Sequence, residues 1–222
     1  MPPLPIRLVS PTFKPQFLEE ILDVSRPSTA EGHFVYPADE DGNHTRGFFA
    51  IEPVTAYAPF VDAIADDMAA WALREGIDVD LVFAPAQPAV RPLAEAFAQR
   101  LRRPVAYWEY RPSGRFGNAL VEGWVPSNSK VLAFNGVSLQ GRCVGLRLPQ
   151  FVTRLGAEVV SAAVFVKGAT DLVRQTEERF GPRFYSTLQV DVPLYPPASC
   201  PECVATNSPP VSWREFAEGP RR

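Results

Sequence analysis

The amino-acid sequence predicts an α/β fold, a parallel β-sheet covered by helices. Three observations lead there. Short, continuously apolar runs such as Asp80–Ala84 (DLVFA), Lys130–Phe134 (KVLAF) and Glu158–Val166 (EVVSAAVFV) read as strands buried on both faces. Segments with apolar residues three and four apart stand between these runs and read as helices. The connections are short, and repeated strand–helix–strand units with short connections build a parallel sheet. With 222 residues, 46% of them hydrophobic and 21% charged, the chain is long and apolar enough for one medium-sized core.

In chain order, the first 50 residues are irregular and Pro-rich, with a short helix expected at Pro15–Val24 and a strand near Gly32–Tyr36. Pro37–His44 (PADEDGNH) reads as a polar turn. The strongest helical signal is Pro53–Arg74, where Val54, Ala58, Val61, Ala65, Met68 and Ala72 form one apolar stripe. Pro53 suits its first turn and Gly76 its end, while Asp66 and Asp67 fall on the polar face and read as solvated. A strand at Asp80–Ala84 leads to a helix at Arg91–Arg102, with Leu93, Phe97 and Leu101 about one turn apart. Pro104–Trp108 and Lys130–Phe134 read as strands, the latter at the centre of the sheet. Gln140–Leu155 is helical in pattern through Val144, Leu148, Phe151 and Leu155, although Pro149 should kink or shorten it. Glu158–Val166 and the shorter Ser186–Val190 complete the strands, and the Pro/Ser/Cys-rich tail from Pro196 reads as a surface extension. Parallel sheets bind ligands at the carboxyl ends of their strands, which directs attention to the loops after Ala84, Trp108, Phe134 and Val166.

Composition narrows the partners. A net charge of −3 and a pI of about 5.5 argue against a nucleic-acid or anionic-membrane surface. No apolar run reaches the ~18 residues a spanning helix needs, and the N-terminus lacks the charged start and apolar stretch of a signal peptide. Three cysteines make no even disulfide framework, so a reducing cytoplasm is expected. Proline is abundant, at 24 residues, and of the 22 basic residues only Lys14, Lys130 and Lys167 are lysine.

Several side-chain groupings carry chemistry. Cys200-Pro-Glu-Cys203 has zinc-knuckle spacing but is a half site; Cys143, His33 and His44 are the remaining candidates to complete it, all distant in sequence. A pair of reduced cysteines anchoring the tail is the alternative. Neither histidine stands in a triad-like context, and Ser138 and Ser161 lack nucleophile-elbow glycines. Tyr107, Trp108 and Tyr110, with Phe116, suit stacking on a flat base, or alternatively packing in a dimer.

Six segments in order resemble the orotate phosphoribosyltransferases, of the type I phosphoribosyltransferase family, over roughly residues 25–205. Gly32–Pro37 (GHFVYP) is similar to the segment that opens their substrate hood. Asp80–Leu101 resembles their strand, pyrophosphate loop and helix, and Tyr110–Gly123 their mobile catalytic loop and the strand ending in Glu-Gly. Lys130–Val144 stands where their signature for phosphoribosyl pyrophosphate (PRPP) lies. Leu155–Val166 matches the next helix end and strand, and Val192–Cys203 a C-terminal segment of the family. The resemblance implies a type I phosphoribosyltransferase α/β core over 53–195, a small N-terminal hood over 1–52 and a Pro/Cys-containing tail over 196–222. It also implies transfer of a phosphoribosyl group from PRPP to orotate or another base, with Mg2+, in a homodimer paired near Tyr107–Gly117.

The sequence departs from the family pattern at the reacting groups. Two adjacent acidic residues that hold the ribose hydroxyls fall on Asn135 and Gly136, and the hydroxyl-rich phosphate turn on Leu139, Gln140, Gly141, Arg142 and Cys143. The pyrophosphate loop reads Ala84-Pro85-Ala86-Gln87-Pro88-Ala89, where Pro88 removes an N–H, and glycines expected at three of these positions are absent. The catalytic loop keeps Arg111 and Arg115, while Phe116 and Gly117 replace a Lys/His pair; in the hood, Tyr and Lys positions fall on Phe48 and Ile51. The expectation is a phosphoribosyltransferase relative with weakened or lost PRPP-dependent transfer. It would bind a nucleotide or phosphate ester through Asn135, Gly136, Leu139, Gln140, Gly141, Arg142, Ala86 and Gln87. An active enzyme of nucleotide biosynthesis or salvage, and a non-catalytic partner of an active paralogue, are the alternatives.

Overall fold

A computed structural model describes residues 5–24, 29–36, 42–111, 114–206 and 209–212. The central sheet contains β1 (Ile6–Leu8), β4 (Leu81–Pro85), β5 (Val105–Tyr110), β6 (Phe116–Glu122), β7 (Lys130–Ser138), β8 (Glu158–Lys167) and β9 (Phe184–Val190). Their order is β1-β9-β8-β7-β4-β5-β6, with β7 in the middle. The five inner strands run parallel, and β1 and β6 close the two edges antiparallel. The α/β class, the parallel core and the central place of Lys130–Phe134 are as the sequence predicts.

Both faces of β7 are apolar because helices cover both. Leu132 and Phe134 point into a core with Ile64 and Met68 of α3 (Ala58–Arg74) and Phe97 of α4 (Arg91–Leu101). Val131 and Ala133 point the other way, toward Leu148 and Phe151 of α5 (Leu148–Arg154) and Phe180 of α6 (Asp171–Phe180). Burying each such side chain stabilises by roughly 1.5–3 kcal/mol, and these two layers hold the sheet.

A second, four-stranded sheet forms the hood. Its middle is the antiparallel pair β2 (Thr29–Val35) and β3 (His44–Phe49), and its outer strands are β10 (Leu194–Tyr195) and β11 (Val211–Ser212), in the order β10-β3-β2-β11. The tail is therefore no loose surface extension. It supplies β11 and a short helix, α7 (Pro201–Thr206), it follows directly on β10, and it buries Cys200. The polar turn expected at Pro37–His44 lies outside the described residues over 37–41.

Four boundaries differ from the sequence reading, each for a local reason. Besides α1 (Pro15–Val24), which falls where expected, the long helix is divided: α2 (Glu52–Thr55) stops, Tyr57 takes an extended conformation, and Pro59 sits in the first turn of α3. Ala58 of the expected stripe is consequently exposed. β7 runs four residues beyond Phe134, so Asn135 and Gly136 are strand residues paired along β8. The helix after it opens as a π-turn over Cys143–Arg147, which lets Pro149 occupy the first turn of α5 without a kink. Apolar periodicity does not reveal α6, whose start is capped by the Thr170 side chain accepting from the Val173 N–H at 3.4 Å.

Asp67 also departs from expectation. Asp66 is solvated and paired with Arg100, but Asp67 is buried. Its carboxylate accepts hydrogen bonds from Ser10 Oγ at 2.7 Å, Thr12 Oγ1 at 2.5 Å and the Tyr185 hydroxyl. Burial, and then the Asp67 charge, push the Tyr185 pKa up, so the phenol stays a donor. No helix among the described residues is long and apolar enough to cross a membrane.

Candidate functional site

A cleft of about 370 Å3 lies where the carboxyl end of β7 meets the hood. Its floor is Asn135 and Val137–Cys143; Gln87, Tyr110 and Gly114–Asn118 form one wall, and Tyr36 and Phe49–Glu52 the hood side. The sheet puts it there because parallel strands end together, leaving their following loops to enclose one space. Of the charged residues lining it among the described residues, Arg115, Arg142, Arg147 and Arg154 are cationic and Glu52 alone is anionic. That balance suits a phosphorylated ligand.

The floor is partly unsatisfied. Asn135 is buried; its Nδ2 donates to Val137 O at 2.8 Å, and its amide lies against the Cys143 thiol. Asn135 Oδ1 and Ser138 Oγ are buried without a hydrogen-bond partner among the described residues. Burial pushes the Cys143 thiol pKa up, leaving a protonated sulfur unsuited to nucleophilic attack. Gly141 takes a left-handed φ of 80°, and a Cβ there would stand 2.8 Å from Val173 N, so the turn before the π-segment needs glycine.

Gly136 is covered by the hood. A Cβ added to it would lie 2.2 Å from Ile51 Cδ1, and Ile51 is itself buried. The isoleucine side chain thus fills the space over the second of the two positions where the family resemblance implies an acid.

The loop after β4 has few donors to offer. The Ala86 N–H donates to Trp108 O at 2.7 Å, Pro88 has none, and the Val90 and Arg91 N–H groups both donate to Gln87 O. This leaves Gln87 and Ala89 to meet an anion, and Gln87 lines the cleft while Ala86 does not.

The remaining sequence-derived residues separate. Gln87, Tyr110, Arg115, Asn135, Leu139, Gln140, Gly141 and Arg142 line the cleft; Ala86, Tyr107, Trp108, Arg111 and Gly136 do not. Tyr107 is buried, with Arg91 over its ring at 4.1 Å and Glu95 accepting from its hydroxyl at 3.3 Å. Trp108 stacks on Phe151 at 4.3 Å and donates its indole N–H to Gly117 O. These two rings belong to the core, a correction to the expectation that they stack on a ligand. Arg111 is an exposed partner of Glu109, whose pKa is lowered first by the Asn118 N–H and then by Arg111. Residues 112–113 of the same loop, and the side chain of Phe48, lie outside the described residues.

A second grouping assembles away from the cleft. His33, His44, Cys200 and Cys203 bring one ligand atom each to within 4.8 Å of one another. Sequence spacing shows only the cysteine half. The histidines join it because β2 and β3 pair and α7 packs across them.

No protein-family model matches the chain. Orotate phosphoribosyltransferase of Carboxydothermus hydrogenoformans is 27% identical over 183 residues, 82% of this chain and 89% of that protein. Orotate phosphoribosyltransferase of Mycobacterium tuberculosis, solved in complex with inorganic phosphate, superposes with a TM-score of 0.56 at 22% identity, covering 79% of this chain and 96% of that one. The enzyme of the same name from Aeropyrum pernix gives a TM-score of 0.58 at 19% identity, covering 76% of this chain and 93% of that one. Shared architecture and sequence likeness agree: the chain has the fold of the orotate phosphoribosyltransferases and is similar in sequence to one of them over most of its length.

Proposed function

We propose that the cleft binds a nucleotide or another phosphate ester, and that PRPP-dependent phosphoribosyl transfer at it is weakened or lost. The observation that carries this reading is a cationic cleft without its carboxylate pair. Four arginines remain around it, while Asn135 and an Ile51-covered Gly136 stand at the positions where relatives are expected to hold the ribose hydroxyls. Losing one hydrogen bond to a charged group costs about 1.5–3 kcal/mol, so losing two lowers PRPP affinity by roughly 10²- to 10⁴-fold. The M. tuberculosis neighbour was solved with inorganic phosphate, in line with a phosphate-bearing ligand on this fold.

Among the described residues lining the cleft, Glu52 is the acidic one, so the chain would offer Mg2+ a single carboxylate there, with the phosphates of a ligand and water completing its shell.

Calorimetric titration checks the reading. Uridine 5′-monophosphate or orotidine 5′-monophosphate is expected to bind, magnesium–PRPP to bind more weakly, and Arg142→Ala to weaken the nucleotide by about tenfold or more. Tight PRPP binding with robust pyrophosphate release from orotate overturns it. That outcome favours the second reading, an active phosphoribosyltransferase of pyrimidine nucleotide biosynthesis or salvage, which the 27% identity across most of the chain supports.

The protein is further proposed to be a cytoplasmic homodimer paired along the β5–β6 edge. Trp124 is 75% exposed and Val121 50% exposed at that side, more apolar surface than a free edge tolerates well. Light scattering at micromolar concentration should give twice the chain mass, and Trp124→Glu should shift it toward monomer. A wild-type monomer contradicts the pairing.

A further inference from the structure

We propose that His33, His44, Cys200 and Cys203 form a tetrahedral zinc site that clamps the C-terminal segment onto the hood. The four ligand atoms come from three places: His33 from β2, His44 from β3, and Cys200 and Cys203 from the start of α7. His33 Nε2 and His44 Nδ1 are 3.2 Å apart. Cys200 Sγ lies 3.4 Å from His33 Nε2, and Cys203 Sγ lies 3.6 Å from His33 Nε2 and 3.3 Å from His44 Nδ1.

Bond lengths of about 2.0–2.1 Å to nitrogen and 2.3 Å to sulfur set the edges of a zinc tetrahedron at roughly 3.3 Å for N···N and 3.5 Å for N···S. The four separations above match these edges, and the remaining two lie within 4.8 Å, a gap that a small shift of the thiols closes. Two thiolates and two neutral imidazoles balance the dication, which suits a place where His44 and Cys200 are buried and the other two half-buried. Binding releases the two thiol protons to solvent. A nitrogen–sulfur tetrahedron selects zinc over the hard cations, and four protein ligands leave no position for water, so the site is structural.

Its position explains what it holds. The C-terminal segment supplies β10 and β11, strands of two residues each, too short to hold an edge by pairing alone. The Arg46–Glu202 pair at 2.8 Å is a further tie between β3 and α7, and with Arg46 close to half exposed it contributes on the order of 1 kcal/mol. β3 leads at its other end into Phe49–Glu52, and Tyr36 follows β2, so a clamp on this hairpin also steadies the hood side of the cleft.

The full-length protein, purified without chelators or metal-affinity resin, is analysed by inductively coupled plasma mass spectrometry. One zinc per chain is expected. His33→Ala and Cys203→Ser should each reduce this to a small fraction, while Cys143→Ala keeps it. Cobalt(II) added to chelator-treated wild-type protein should give intense visible bands of a tetrahedral ion together with thiolate-to-cobalt charge transfer. This decides the matter even when a variant fails to fold. Chelation should also speed proteolytic cleavage within 201–212. Substoichiometric zinc with no tetrahedral cobalt spectrum overturns the site, as does full metal in His33→Ala and Cys203→Ser. Unchanged proteolysis of a metal-free chain overturns the clamp.

Discussion

Asn135→Asp, Gly136→Asp and Ile51→Ala introduced together will tighten magnesium–PRPP binding by roughly 10²- to 10⁴-fold, the counterpart of the two charged hydrogen bonds the wild-type chain lacks. All three changes are needed. Gly136→Asp alone places a Cβ 2.2 Å from Ile51 Cδ1, inside a packed region, and overpacking of this kind costs about 1–3 kcal/mol. Ile51→Ala removes the obstruction and reopens the space over β7. Without ligand the triple variant should melt at a lower temperature than wild type, because two adjacent carboxylates repel one another in a poorly solvated place. PRPP should then raise its melting temperature more than it raises that of the wild type. Titration calorimetry and thermal melts read both effects. Unchanged affinity would move the defect to the loop after β4, where the Ala86 N–H is already committed to Trp108 O and Pro88 has none.

The strands of the core are legible in the sequence because burial on both faces leaves a continuous apolar run, as in Glu158–Val166 and Lys130–Phe134. The end of β7 is not. Asn135, Gly136 and Ser138 look like a loop by composition, yet the ladder to β8 continues through Asn135 opposite Val164 and Ser138 opposite Lys167. Pairing with a neighbour, which lies in no local pattern, overrides the local signal. The zinc-like quartet shows the same limit at longer range. A Cys-x-x-Cys pair is visible as a spacing, whereas its histidine partners are some 160 residues away and meet it only when a hairpin and a returning tail share one sheet. Tyr107 and Trp108 illustrate an ambiguity of another kind. An aromatic residue at a strand end serves a ligand or a core equally well, and for Trp108 the partner that decides it, Phe151, belongs to a helix far along the chain.

Asp66 and Asp67 share a charge and a helix, and the consequences of removing them should differ severalfold. Asp67→Ala is expected to lower stability by about 3 kcal/mol or more. It withdraws the acceptor shared by Ser10, Thr12 and Tyr185, and hydrogen bonds to a buried charge contribute about 1.5–3 kcal/mol each without adding fully. The loss should extend to the N-terminal segment, since Ser10 and Thr12 tie the chain after β1 to α3, while Tyr185 joins β9 to the same carboxylate. Tyr185→Phe should cost less, because Asp67 keeps its donors Ser10 and Thr12, and Thr187 Oγ1, 2.9 Å from the lost hydroxyl, can turn toward another acceptor. Asp66→Ala should cost no more than ~1 kcal/mol, since its carboxylate is 69% exposed and Arg100 keeps its pair with Asp62 at 2.9 Å. Urea unfolding of the three variants measures the differences. Equal losses for Asp66→Ala and Asp67→Ala would mean that the buried carboxylate holds nothing its solvated neighbour does not, and that the β1–α3–β9 junction is held by apolar packing alone.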